Sequence, residues 1–244
     1  MGPNPTDITT HTSISIMLRH CLLINNSNLL LASQSPRRRV MLALLGLPFD
    51  VTTADIDETP LDRESPIALV ARLSQAKARA IQSEATIITS DTVVALEGQL
   101  LGKPADATEA TATLKRLRAR PHHVYSGVTV RHSPSGRILT DVARTEIVMR
   151  NYTDTEIATY VASGDPFDKA GSYAVQSTQF HPAAQINGCY ANVMGLPLCH
   201  LTRCLRTWHI TVPADIPAAC QEYTGHTCPV YAAILAGQPG CSPL

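Results

Sequence analysis

Between Leu29 and Trp208 the apolar positions of this chain fall into blocks of changing period, and the blocks predict strands and helices in alternation. Leu29-Leu30-Leu31-Ala32 is a short unbroken apolar run, as in a strand buried on both faces. Ser35 then reads as an N-cap and Pro36 as the first helical residue, with Val40 to Leu45 as helix body before Gly46 stops it. Phe49 to Thr53 alternates like a second strand and runs into an acidic turn, Asp55-Ile56-Asp57-Glu58. From Pro66 to Gln82 the spacing is helical, with Leu69, Leu73, Ala76 and Ala80 on the apolar face and Lys77 at its border. Thr86 to Ser90 is β-branched and predicts a buried strand that delivers Asp91-Thr92 at its C-terminal end, Val93 to Leu96 being the stretch that could extend it.

The second half repeats the alternation. Glu97-Gly98-Gln99 reads as a turn, and Asp106 and Glu109 have capping-box spacing for a helix through Ala119. Val124 to Val130 and Ile138 to Arg150 predict a long hairpin turning at Ser133-Pro134-Ser135-Gly136. Thr153 and Glu156 cap a short helix that ends near Gly164. A loop, Asp165 to Gly171, leads into a strand-like Tyr173 to Gln176. Asn187-Gly188 marks a turn, and Gly195-Leu196-Pro197 opens a last helix toward Leu205. Residues 1–28 lack a firm period and read as a loose N-terminal extension, 29–209 as the organised domain, and 210–244 as a C-terminal appendage.

Composition narrows the function classes. The 244 residues are 44% apolar with zero formal net charge, so nothing favours a nucleic-acid polymer as partner, whose binding leans on excess Lys and Arg. No apolar stretch is long enough to span a membrane, since Ile14 to Ile24 is broken by Arg19 and His20, and no secretory leader is evident there. Seven scattered cysteines fit free thiols in a reducing compartment, which points to the cytoplasm. Cys199, Cys204, Cys220, His226 and Cys228 lack the spacing of a zinc site.

Charge is most informative at Arg37-Arg38-Arg39, in the first turn of the first predicted helix. A helix N-terminus carries roughly +0.5 of a charge and unpaired N–H groups, so cations there cost stability unless an anion compensates them. Phosphate is the natural anion for that position. Carboxylates at Asp57, Glu58 and Asp91 and cations at Lys77, Lys103 and Lys169 fall at loops or element ends. Together they are the groups that bind a hard divalent cation and a phosphate chain. No G-x-x-x-x-G-K-[ST] loop, G-x-G-x-x-G fingerprint or G-x-S-x-G elbow is present, so side chains and the Ser35 helix start would have to hold the phosphate.

Five strings, in order, carry a family resemblance. They are Leu31-Ala32-Ser33-Gln34-Ser35-Pro36-Arg37-Arg38, Ser90-Asp91-Thr92-Val93-Val94, Gly102-Lys103-Pro104, Asp168-Lys169-Ala170-Gly171-Ser172-Tyr173 and Val193-Met194-Gly195-Leu196-Pro197. Over about Leu29 to Trp208 the chain resembles the Maf family of nucleoside triphosphate pyrophosphatases. The resemblance implies an α/β fold with an elongated mixed central sheet, flanking helices and two lobes around a cleft, similar to inosine triphosphatases. It also implies a homodimer and Mg2+- or Mn2+-dependent cleavage of a nucleoside triphosphate to monophosphate and pyrophosphate.

By the same resemblance Ser33, Arg37 and Arg38 match a phosphate-binding loop, and Lys77, Lys103, Lys169 and Gln176 match further substrate-binding positions. Glu58 and Asp91 match acidic residues that hold the metal, Asp91 being the catalytic aspartate. The Asp168 to Gln176 block resembles the branch acting on dTTP and UTP rather than on 7-methyl-GTP. Ser177 and Gln179 stand where that family commonly has glycine, beside the expected base pocket. A purine triphosphate substrate, or nucleotide binding without turnover, are the competing expectations.

Overall fold

The computed structural model describes residues 28–237 apart from Pro134. Of the two extensions, residues 1–27 and 238–244 therefore lie outside the described residues. β1 (Leu29–Ala32), β2 (Phe49–Thr52), β3 (Thr86–Leu96), β4 (Gln99–Leu101), β5 (Pro121–His132), β6 (Arg137–Met149) and β7 (Ala183–Asn187) form one mixed sheet. The order is β2-β1-β3-β5-β6-β7, with β4 pairing β3. β2, β1 and β3 are parallel, while β3, β5, β6 and β7 are antiparallel.

The register of β3 creates the site. One edge pairs with β5 continuously from Ile87 to Ala95. The other edge pairs with β1 only as far as Ile88 and with β4 only from Val94. Thr89 to Val93 thus lie at a gap where the parallel neighbour has ended and the antiparallel one has not begun. A crevice opens where neighbouring strands part in this way. Asp91 is accordingly in the middle of an eleven-residue strand rather than at its C-terminal end, because Val93 to Leu96 continue it.

Helices cover both faces. α1 (Pro36–Ala43) starts at Ser35, whose Oγ accepts from the Arg38 N–H, and has no acidic residue in its first turn. α2 (Pro66–Ala80) buries Leu69, Val70, Leu73, Ser74, Lys77 and Ala78, whereas Ala76 is only half-buried and Ala80 exposed. The apolar stripe read from the sequence was therefore rotated, and Lys77 lies inside the face instead of at its border. The reason is chemical: α2 is seated on the sheet by hydroxyls. Ser74 Oγ lies 2.8 Å from Thr129 Oγ1, and Thr89 Oγ1 donates to the Ser74 carbonyl at 2.6 Å.

α3 (Ala107–Leu117) and α4 (Asp154–Ala162) close the other end of the sheet. Val94, Leu114, Val124, Ile147, Tyr152 and Tyr160 share a core cluster there. A second cluster gathers Leu31, Leu42, Val128 and Leu201 from β1, α1, β5 and α6 (Leu198–Thr207), the last helix expected after Pro197. α5 (Tyr190–Val193) precedes it. Tyr173 to Gln176 is not a strand: two 3-10 segments, Asp165–Asp168 and Ala170–Ser172, lead into turns, and the sheet is extended by β7 instead. Beyond Ile210, α7 (Ile216–Thr224) and α8 (Tyr231–Leu235) pack on α6, with Ile216 and Ile234 both 2% exposed. Arg203 of α6 ties this segment down by donating to buried Asp141 of β6 and to the Ile234 carbonyl.

Candidate active site

A cleft of about 690 Å³ opens at the gap along β3, and Ser33, Arg37, Arg38, Glu58, Lys77, Asp91, Lys103, Lys169 and Gln176 all line it. The substrate- and metal-binding residues implied by the resemblance are thus brought to one place, whereas Asp57 turns back on its own loop, accepting from the Thr59 N–H, and does not line the cleft. Ser33 and the two arginines come from the β1–α1 turn, Lys77 from α2, Asp91 from β3 and Glu58 from the loop after β2. Lys103 follows β4, and Lys169 and Gln176 sit on the segment after α4.

At the floor, Lys77 Nζ donates to Asp91 Oδ1 at 2.6 Å and pairs with Glu58 Oε1 at 2.8 Å. Asp91 is 6% exposed, and its Oδ2 takes no hydrogen bond among the described residues. Asp91 stands opposite Gly127 of β5, so both face α2. A Cβ on Gly127 would lie 2.3 Å from the Val70 carbonyl oxygen, and its absence lets the α2 backbone settle onto the sheet with Lys77 above Asp91. Glu58 is held from outside: Arg72 grips both Glu64 carboxylate oxygens at 2.7 Å and the Thr59 carbonyl at 3.1 Å, fixing the loop. That pairing holds the Glu64 carboxyl below its usual range.

The two arginines differ. Arg38 donates from Nε to the Gly195 carbonyl at 2.8 Å and from Nη2 to Thr92 Oγ1 at 3.0 Å. Burial lowers its pKa and the neighbouring Asp91 charge opposes that shift. The Arg37 side chain makes no hydrogen bond or ion pair among the described residues, so its guanidinium is free for a ligand; its charge is felt by the neighbouring Arg38. Ser33 Oγ accepts from the Ser35 N–H at 3.2 Å, shaping the turn that exposes the start of α1. Lys103 is exposed and unpaired among the described residues, on a loop joined to the opposite lip by the Gly171 N–H donating to the Gly102 carbonyl at 3.0 Å. Lys169 is engaged by its own loop, through Asp165 and Asp168.

Sequence reasoning left several lining groups without a role: Thr92, Asp168, Tyr173, Met194 and Gly195. Gly195 could have been found from its place in Val193-Met194-Gly195-Leu196-Pro197, since its φ of 100° requires glycine and its carbonyl receives both Arg38 and Ser90. Ser177 and Gln179, expected beside a base pocket, do not line the cleft, and neither has a positive φ. Ser177 closes a turn instead, accepting from the Phe180 N–H at 3.2 Å.

Glu58 and Asp91 are oxygen donors of the kind Mg2+ and Mn2+ take, and both face the same ammonium of Lys77. Among the described residues no three His, Cys, Asp or Glu side chains are grouped to hold a metal, so an ion at this pair would draw its remaining oxygens from phosphate and water. The donor set fits that mode. The C-terminal cysteines form no metal centre among the described residues. Burial pushes Cys199 up to about 12 and Cys220 up to about 11, leaving protonated thiols.

Comparison with known proteins places the chain in a family. A dTTP/UTP pyrophosphatase of Geobacter sp. (strain M21) is 41% identical over 186 residues, 75% of this chain and 96% of the relative. Proteins of the same name from Dictyoglomus turgidum and Salinibacter ruber are 42% and 44% identical over 181 and 182 residues, covering 94% and 89% of those relatives. The family described as Maf-like protein matches residues 28–208, a span that holds every cleft residue discussed above. The chain belongs to the Maf-like protein family.

Proposed function

We propose that this chain is a nucleoside triphosphate pyrophosphatase that hydrolyses dTTP and UTP to the monophosphate and pyrophosphate with Mg2+ or Mn2+. Family membership and the names of the relatives support the hydrolase class. The observation that carries the chemistry is Asp91, set in the β3 gap, oriented by Lys77 through Oδ1 and open at Oδ2.

In this reading a water beside Asp91 Oδ2 attacks the α-phosphorus. The new P–O bond forms as the bond to the bridging oxygen breaks, the water proton passes to Asp91, and pyrophosphate leaves. Arg37 and Lys103, both lining the cleft and unpaired among the described residues, meet the phosphate charge, with Arg38 beside Arg37. Glu58 and Asp91 would hold a divalent ion, which when bound would supply further neutralisation of the phosphates. Gln176, exposed on the lip, offers an amide with both donor and acceptor, as a thymine or uracil edge requires.

A cytoplasmic homodimer belongs to the same reading. Five described cysteines are free, which suits a reducing compartment. No helix among the described residues is long and apolar enough to cross a membrane. Light scattering on the purified chain tests the dimer.

The decisive experiment measures pyrophosphate release from dTTP, UTP, CTP, GTP and 7-methyl-GTP at matched low concentration, with Mg2+, with Mn2+ and with EDTA. The reading expects the two pyrimidine substrates to lead and EDTA to stop turnover. Asp91→Asn is expected to abolish turnover while keeping dTTP affinity within about tenfold, because shape and the cationic walls persist. Release equal to wild type from Asp91→Asn would refute the mechanism.

A further inference from the structure

The lip carrying Lys169 and Gln176 is tied together by a side chain outside the cleft. Tyr160, on α4, is 5% exposed, with its ring stacked on Phe180 at 4.3 Å between centroids. Its hydroxyl donates to Asp165 Oδ2 at 2.5 Å and accepts from the Ala174 N–H at 2.9 Å. Burial and the adjacent Asp165 push the phenol well above its ordinary pKa, so the group keeps its proton and goes on donating.

The same Asp165 carboxylate spends its other oxygen on Lys169. Lys169 Nζ donates to Asp165 Oδ1 at 2.9 Å, to the Asp165 carbonyl at 2.6 Å and to Asp168 Oδ1 at 2.5 Å. An ammonium has three N–H donors, so its position is fully set by this loop. Ala174, on the other side of the Tyr160 hydroxyl, stands two residues before Gln176. One hydroxyl therefore joins the group that sets the lip's cation to the turn that sets its amide.

We propose that Tyr160 is a positioning residue: through Asp165 and Ala174 it fixes the separation between Lys169 and Gln176, and hence how a nucleotide's phosphates and base are held together. This rests on reading the cleft as a triphosphate site. Tyr160 does not line the cleft and its hydroxyl bonds to Asp165 and Ala174 rather than to Asp91, so its effect falls on binding rather than on the chemical step. Removing the hydroxyl leaves a carboxylate oxygen and a buried N–H without their partner, while the stacked ring stays.

The test is a double-mutant cycle of Tyr160→Phe and Lys169→Met, read as KM and kcat for dTTP and as calorimetric affinity for pyrophosphate. Tyr160→Phe is expected to raise KM about three- to tenfold with kcat changed less than about twofold, the loss of one hydrogen-bonded hydroxyl. In the Lys169→Met background it is expected to change KM by less than about twofold, because coupled residues are not additive. A KM unchanged by Tyr160→Phe, or raised equally in both backgrounds, overturns the proposal. If Tyr160→Phe does not fold, Asp165→Asn takes its place in the cycle with the same expectations. If wild type releases no pyrophosphate from dTTP, the reading of the activity fails by itself; the pyrophosphate affinities then decide on Tyr160, and equal affinities in wild type and variant overturn it.

Discussion

Gly127→Ala isolates the contact on which the floor of the cleft depends. The added Cβ would lie 2.3 Å from the Val70 carbonyl oxygen, 2.7 Å from its carbon and 2.9 Å from Ser74 Oγ, all belonging to α2. A carbon comes no closer to a carbonyl oxygen than about 3.3 Å in the tightest favourable contacts, so α2 has to withdraw by roughly 1 Å. Two of the three atoms are backbone, and no side-chain rotation relieves them. Lys77 lies two helical turns beyond Val70, and its bonds to Asp91 and Glu58, at 2.6 and 2.8 Å, stretch with the helix. Overpacking of this kind costs about 1–3 kcal/mol. In a chain of this size each kcal/mol lowers Tm by about 2–4 °C, so a fall of roughly 2–12 °C is expected. Turnover falls as well, since a misplacement of about 1 Å in an active site costs up to about a hundredfold. The assay pairs thermal unfolding with pyrophosphate release, and Gly102→Ala, whose Cβ meets nothing within 4 Å, is the stability control. A Gly127→Ala protein with Tm within about a degree of wild type and unchanged kcat/KM would refute the argument.

Arg37→Ala is expected to change the stability of the ligand-free protein by less than about 1 kcal/mol, since the side chain faces the helix dipole and holds no partner, while dTTP affinity drops. Arg38→Ala is expected to cost about 1–3 kcal/mol, because it removes donors from the Gly195 carbonyl and Thr92. A larger loss of Tm for Arg37→Ala than for Arg38→Ala would invert these roles. His122, 1% exposed and bonded through Nε2 to the Tyr173 hydroxyl, is pulled down to about 4 by burial. Its folded pKa lies below the ordinary 6.5, so its stabilisation is full above pH 6.5 and is lost as pH falls toward 4, by about 3 kcal/mol in all. Urea unfolding of wild type and His122→Leu at pH 7.5 and pH 4.5 checks this, and equal pH slopes in the two proteins would contradict it.

The sequence by itself determined the features that depend on near neighbours. Ser35-Pro36 starting α1, the full capping box of Thr153 and Glu156 at α4, and the hairpin of β5 and β6 are settled by caps and alternation within a few residues. The cleft residues were legible too, from strings whose chemistry is written in their residue types and from the family those strings resemble. What only the tertiary structure decided was where long-range neighbours end. Local pattern shows that Thr86 to Ser90 is a strand, but not that β1 stops at Ile88 and β4 begins at Val94, which is what opens the crevice at Asp91. Nor does helical period show that α2 rests on hydroxyls and a glycine, so Lys77, already legible as a site cation, read as bordering the apolar face when it lies within it. Tyr173 to Gln176 read as a strand because its residues suit one, yet β7 occupies the sheet position beside β6 and the segment turns inward instead. The partners of a side chain are fixed by packing between segments far apart in sequence, and composition and period carry no record of those pairings.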